Sequence, residues 1–107
     1  MLTENAIQKL GLVKIAGTPA DEYSGVYAGD FLSRAMSHLS AGQIWVTIMS
    51  NLNVIAVASL TEAALVVLAE GMTLQDDVKA VAEEKGVAVY SSEKTVYEIC
   101  CELGSLK

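Results

Sequence analysis

Residues 42–69, GQIWVTIMSNLNVIAVASLTEAALVVLA, contain a single charged side chain, Glu62. A stretch this long and this apolar has to be buried, so it becomes the element around which the remaining segments pack. It opens with a β-branched and aromatic run at 44–49, breaks at the polar turn Ser50, Asn51, Leu52, Asn53, and ends in a second apolar run at 63–69. The first run is continuous rather than alternating, the pattern of a strand covered on both faces. A polar turn between two buried segments is where a ligand would be met.

The piece between these runs decides the architecture. Residues 53–60 carry valines and an isoleucine that favour a strand, yet Ser50 or Asn51 is placed to cap a helix. A helix there lets the flanking strands pair in parallel, since parallel strands need a crossover of about a dozen residues or more. The segment is read as a buried helix, with the next strand at 64–69.

Outside this core the chain is punctuated by glycine and by capping residues. Thr3 can cap a short helix at 4–10, stopped by Gly11; 12–16 reads as a short strand and 17–21 as a loop that Pro19 keeps out of a ladder. A strand at 25–28 precedes Asp30, an N-cap for a helix at 31–39 whose inner face is Phe31, Leu32, Ala35, Met36 and Leu39. Thr73 with Asp76 resembles a capping box for a helix striped by Leu74, Val78, Val81 and Ala82 and stopped by Gly86. A strand at 87–90 follows, and Ser91 or Ser92 caps a last helix at 93–103, closed by Gly104. The recurrence of strand then helix predicts a three-layer α/β/α sandwich with a small, mostly parallel sheet.

Length and composition narrow the function. The 107 residues form one domain, 1–107. With 52% hydrophobic residues and a mean hydropathy of +0.41, either the core is unusually rich or some apolar surface meets a partner. A net charge of -6 opposes binding to nucleic acid or to an anionic membrane. The apolar span 54–69 is interrupted by Ser59, Thr61 and Glu62 and falls short of the roughly 20 residues a bilayer requires. The N-terminus does not read as a secretion signal, so a cytoplasmic location is expected.

No catalytic set can be assembled from these residues. His38 is the one histidine and falls near a helix end, and Cys100 and Cys101 are adjacent, so on a helix they project about 100° apart. Together they give neither a disulfide nor a closed metal site, and neither metal nor cofactor is expected. Asp30 reads as an N-cap before a carboxylate catalyst, Trp45 as core before a stacking platform, and Asp76, Asp77, Glu83 and Glu84 as a solvated acidic face. In a parallel sheet the strand C-termini and the following helix N-termini share one edge, where ligands are usually held. That rule gathers Ser50, Asn51, Asn53, Glu70, Gly71, Ser91 and Ser92 as a candidate ligand site. Helix capping is what most such residues do elsewhere. A phosphate would want a glycine-rich loop and a basic residue, and apart from Lys94 neither is present, so uncharged or weakly anionic ligands fit better.

Four segments carry a resemblance to a known family: GVYAGDFLS at 25–33, WVTI at 45–48, NVIAVA at 53–58, and Ser91 with Ser92 before the last helix. They are similar to the small stand-alone members of the DRTGG-domain family over about residues 4–106. The resemblance implies a fold like the N-terminal domain of HPr kinase/phosphatase and a non-catalytic regulatory use, since related domains accompany nucleotide-sensing modules in some pyrophosphatases and phosphotransacetylases. The Asp-Arg-Thr-Gly-Gly motif itself is absent, and its nearest equivalent is the turn at 50–53. Stand-alone members often show His-x-Asn there; here Asn51 takes the histidine position and Asn53 is kept, so histidine-dependent chemistry is not carried over.

The expectation is therefore a homodimerising regulatory module that binds a small metabolite, a nucleotide-like ligand or a partner protein. The alternative is a small enzyme with an unconventional site at the Ser50 to Asn53 edge. A helix of consecutive apolar residues lying on a sheet buries about half of them, so the dimer interface is expected on one face of the 53–60 helix, with Val54, Ile55, Val57 and Ala58 as its contacts, or on the rim of the central strand beside it.

Overall fold

The two apolar runs become the central strands of a five-stranded sheet. In the computed structural model, which describes residues 1–106, the strands are β1 (Val13–Ala16), β2 (Gly25–Ala28), β3 (Gln43–Thr47), β4 (Leu65–Leu68) and β5 (Val89–Ser91). Their spatial order is β1, β5, β4, β3, β2. β2 to β5 are mutually parallel, with Trp45 opposite Val66 and Tyr27 opposite Trp45, and β1 alone runs antiparallel, against β5. The helices are α1 (Thr3–Leu10), α2 (Leu32–His38), α3 (Leu52–Thr61), α4 (Asp76–Lys85) and α5 (Val96–Gly104).

Side-chain alternation along the central strands divides the core in two. Trp45, Val66, Leu68 and Val89 pack with Ala35 and Leu39, with Val54, Ile55, Val57 and Ala58 of α3, and with Val78 and Ala82 of α4. Ile44, Val46, Leu65 and Val67 pack with Ala6 and Leu10 of α1 and Ile99 and Leu103 of α5. The strands read as continuous apolar runs because each face has its own helical layer. This is the three-layer α/β/α arrangement with a mostly parallel sheet that the sequence pattern predicts.

Several local expectations are corrected. Val54, Ile55, Val57 and Ala58, assigned to a dimer contact, are buried within the chain. α2 and α4 flank α3 and cover its sides as well as its base, leaving Asn53, Ala56, Ser59 and Leu60 outward. Asp30 does not cap α2: the N-cap is Phe31, without a side-chain bond, because the Asp30 carboxylate is engaged by β3. Thr3 lies inside α1 rather than before it, and its buried hydroxyl has no partner among the described residues. The Thr73 and Asp76 box does not form, and α4 starts after Gln75; aspartate is one methylene shorter than the glutamate that such a box uses. Ser91 ends β5 and Ser92 follows it, and α5 begins only after Thr95. Thr95 accepts from the Glu98 backbone N–H at 3.2 Å while Glu98 accepts from the Thr95 N–H at 3.0 Å. The Thr95 N–H, and after it the Thr95 hydroxyl donating to Glu98 Oε1 at 3.1 Å, hold the Glu98 carboxyl below its usual range.

Gly17 follows β1 in the left-handed region, at φ +71°, and its N–H donates to Glu83 Oε1 at 2.9 Å. A Cβ there would fall 2.3 Å from the Val87 carbonyl oxygen. Gly86, at φ +70°, has open space around the same position. Both alanine variants incur the left-handed cost of about 1 kcal/mol. Gly17→Ala must in addition displace backbone, and urea titration should show a loss of about 3 kcal/mol or more for it against about 1 for Gly86→Ala. Equal losses would mean that the strand β1 is not held this close to Val87.

Candidate functional site

Because β2 to β5 are parallel, their C-terminal ends meet one edge, and four loops emerge there. The β3–α3 loop is the polar turn. Asn51 is the N-cap of α3, its Oδ1 accepting from the Asn53 backbone N–H at 3.0 Å. The turn's entry is fixed from a neighbouring loop: Asp30, just beyond β2, accepts from the Thr47 hydroxyl at 2.7 Å and from the Ile48 N–H at 3.0 Å. Thr47 Oγ1 in turn accepts from the Met49 N–H at 3.2 Å. Thr47 is buried, so this chain of bonds satisfies its hydroxyl within the protein and fixes the Ile48 and Met49 N–H groups at the start of the turn. Asp30 and Thr47 are residues of this edge that the sequence reading did not gather. Their signal was the polar Thr47 closing an apolar strand beside another strand ending in aspartate.

The loops after β4 and β5 are tied together through the backbone. Glu70 and Gly71 are both left-handed, at φ 57° and 72°, and the reversed chain donates from the Glu70 N–H to the Lys94 carbonyl and from the Gly71 N–H to the Ser92 carbonyl. Ser92 Oγ accepts from the Lys94 N–H at 3.1 Å. The Lys94 ammonium is paired with the Glu102 carboxylate of α5.

The expected site residues thus share an edge, and four of them line two separate hollows. Ser50 and Asn51 line one of about 220 Å³ together with Leu52, Gln75 and Val78. Ser91 and Ser92 line another of about 220 Å³ with Leu10, Gly11, Val13, Glu93 and Lys94. Glu70 and Gly71 form the tie between the β4 and β5 loops, and Asn53 lies on the exposed first turn of α3, outside both hollows. The first hollow is lined by uncharged groups, Ser50, Asn51 and Gln75 being its polar members. It offers hydrogen bonds without an ammonium or guanidinium to neutralise a phosphate.

The remaining candidates resolve individually. Trp45 is fully buried and donates from Nε1 to the Gly29 carbonyl at 2.9 Å, a core role. His38 ends α2, whose N-terminus is at the C-terminal edge of the sheet, so the imidazole lies toward the opposite edge; its Nδ1 is 3.0 Å from the Arg34 carbonyl oxygen. Cys100 is half-buried, and burial pushes its thiol up from the usual range, which lowers its thiolate fraction near neutral pH. Among the described residues no three metal-ligating side chains cluster, and no helix is long and apolar enough to cross a membrane.

With this geometry in view, comparison with known proteins gives a likeness of structure and none of sequence. No family model matches the chain, and no curated protein matches it by sequence. Among solved structures, the fold superposes on the CBS and DRTGG domains of the regulatory region of Clostridium perfringens pyrophosphatase, complexed with the activator diadenosine tetraphosphate, with a TM-score of 0.71 at 12% identity. The match covers 92% of this chain and 44% of that one, so this chain spans less than half of that regulatory region. At this identity the likeness is one of fold.

The Asp30 and Thr47 bond can be isolated by a double-mutant cycle of Asp30→Ala and Thr47→Val. A coupling of about 1 kcal/mol or more is expected from denaturant titrations of the four proteins. Additive losses would show that Asp30 does not hold the 48–51 turn.

Proposed function

We propose that the chain is a non-catalytic regulatory module of the DRTGG type, a homodimer that binds a small metabolite or nucleotide-like ligand at the C-terminal edge of its parallel strands. The observation that carries this reading is the uncharged hollow at Ser50, Asn51 and Gln75, set where two loops of a parallel sheet open into helices. Its chemistry suits the neutral hydrogen-bonding parts of a ligand, such as a base, an amide or a sugar hydroxyl. The fold likeness to a regulatory region crystallised with a nucleotide activator supports the same reading. A small enzyme at the Ser50 to Asn53 edge would need a base for its hydroxyl, and His38 lies toward the far edge of the sheet. Exposed apolar residues, among them Phe31, Met36, Leu52 and Leu60, support self-association.

A thermal-shift series with adenosine, ATP, diadenosine tetraphosphate and a panel of central metabolites tests the ligand. A binder at saturating concentration should raise the melting temperature by about 5 °C or more. Gln75→Ala, which removes a lining side chain that makes no capping bond, should cancel that rise and leave the ligand-free melting temperature within about 1 °C. Absence of any rise at millimolar concentrations would overturn ligand binding at this edge.

A further inference from the structure

The two edges of the sheet are built differently. On the β1 side, Lys14 is exposed, the register slips between Lys14 and Ala16, and α4 packs against the strand. Charge, a bulge and a covering helix are the devices by which edge strands avoid pairing with other chains. On the other side β2 pairs, among the described residues, only with β3, in unbroken register, and residues 23–29, YSGVYAG, contain no Asp, Glu, Lys, Arg or Pro.

The backbone of β2 is also presented outward. The Gly29 N–H donates to the Val46 carbonyl at 3.1 Å. Successive residues of a strand direct their backbone groups to opposite sides, so Tyr27 faces β3 as Gly29 does, while Val26 and Ala28 turn their N–H and C=O groups to the open edge. Both layers flanking this end of the sheet carry exposed apolar side chains. Phe31, immediately before α2, is 70% exposed, and Tyr97 on α5, the helix lying over β2 and β3, is 77% exposed.

We infer that the open edge of β2 is the self-association surface, two copies pairing β2 with β2 antiparallel across a two-fold axis so that their sheets become continuous. This rests on the homodimer reading above and replaces the Val54, Ile55, Val57 and Ala58 contact that burial removes. A second copy fits better than a foreign extended segment. A strand of four residues offers few backbone bonds, and a lone peptide would gain only those. A second copy brings its own α2 and α5 beside the joined strands, covering Phe31 and Tyr97 and adding the apolar area that a stable interface requires. Within residues 23–29 neither copy of this chain of net charge -6 bears an ionised side chain, so the paired strands themselves add no like-charge contact.

Light scattering after size exclusion at micromolar concentration, combined with amide exchange on ¹⁵N-labelled protein, tests this. The expected result is a dimer mass with the Val26 and Ala28 amides slowed at least a hundredfold relative to unprotected rates. Ala28→Pro removes an outward N–H and should weaken the dimer at least tenfold. Should that variant fail to fold, Ala28→Lys places like charges across the axis and should do the same. A monomer mass for the unmodified chain would overturn the homodimer reading and this inference with it. A dimer whose Val26 and Ala28 amides exchange at unprotected rates would leave the homodimer standing and overturn the edge contact.

Discussion

The parallel register between β3 and β4, with Ile44, Trp45 and Val46 facing Leu65, Val66 and Val67, is the constraint from which the rest follows. All six side chains are fully buried. No single helical layer can bury a strand on both faces, so the chain must supply helices above and below. A parallel pair also needs a crossover, which makes 52–61 a helix despite its β-branched composition. Once these strands run the same way, their C-terminal ends open at one edge, and polar residues that the core cannot accept are collected there. The location of the candidate site is thus a consequence of the core.

Local bonds then give that edge its shape. The Asp30 carboxylate spans from the end of β2 to the end of β3, and the backbone of 70–71 spans from the end of β4 to the end of β5. These ties leave the loops short and fixed, with the Ser50, Asn51 and Gln75 hollow between the α3 and α4 starts. Lys94, the basic residue lining the second hollow, is already paired with Glu102. The first hollow therefore offers hydrogen bonds in neutral surroundings, a setting for recognition of a ligand's uncharged groups.

Much of this was legible in the residues. The continuous β-branched and aromatic run at 44–49 and the apolar run at 63–69 declared two-sided burial, and the polar break at Ser50 to Asn53 declared both the loop and the Asn51 cap. What escaped depended on neighbours in space. Asp30 before an apolar stripe has the local pattern of an N-cap, and only the β2 to β3 register shows that Thr47 and Ile48 compete for its carboxylate. The burial of four α3 residues depends on α2 and α4 lying on either side, which no periodicity within α3 reveals. The start of α5 was readable, since Thr95 and Glu98 have the spacing of a capping box, but the serines at 91 and 92 drew the boundary forward.

Native-state amide exchange followed as a function of denaturant measures most directly whether β3 and β4 organise the molecule. The amides of residues 44–47 and 66–68 should exchange only through global unfolding, with opening free energies equal to that from urea titration, while those of β1 and α5 exchange through smaller openings. If the β3 and β4 amides exchanged by local opening while β1 or α5 stayed protected, the central pair would not be what holds the fold together.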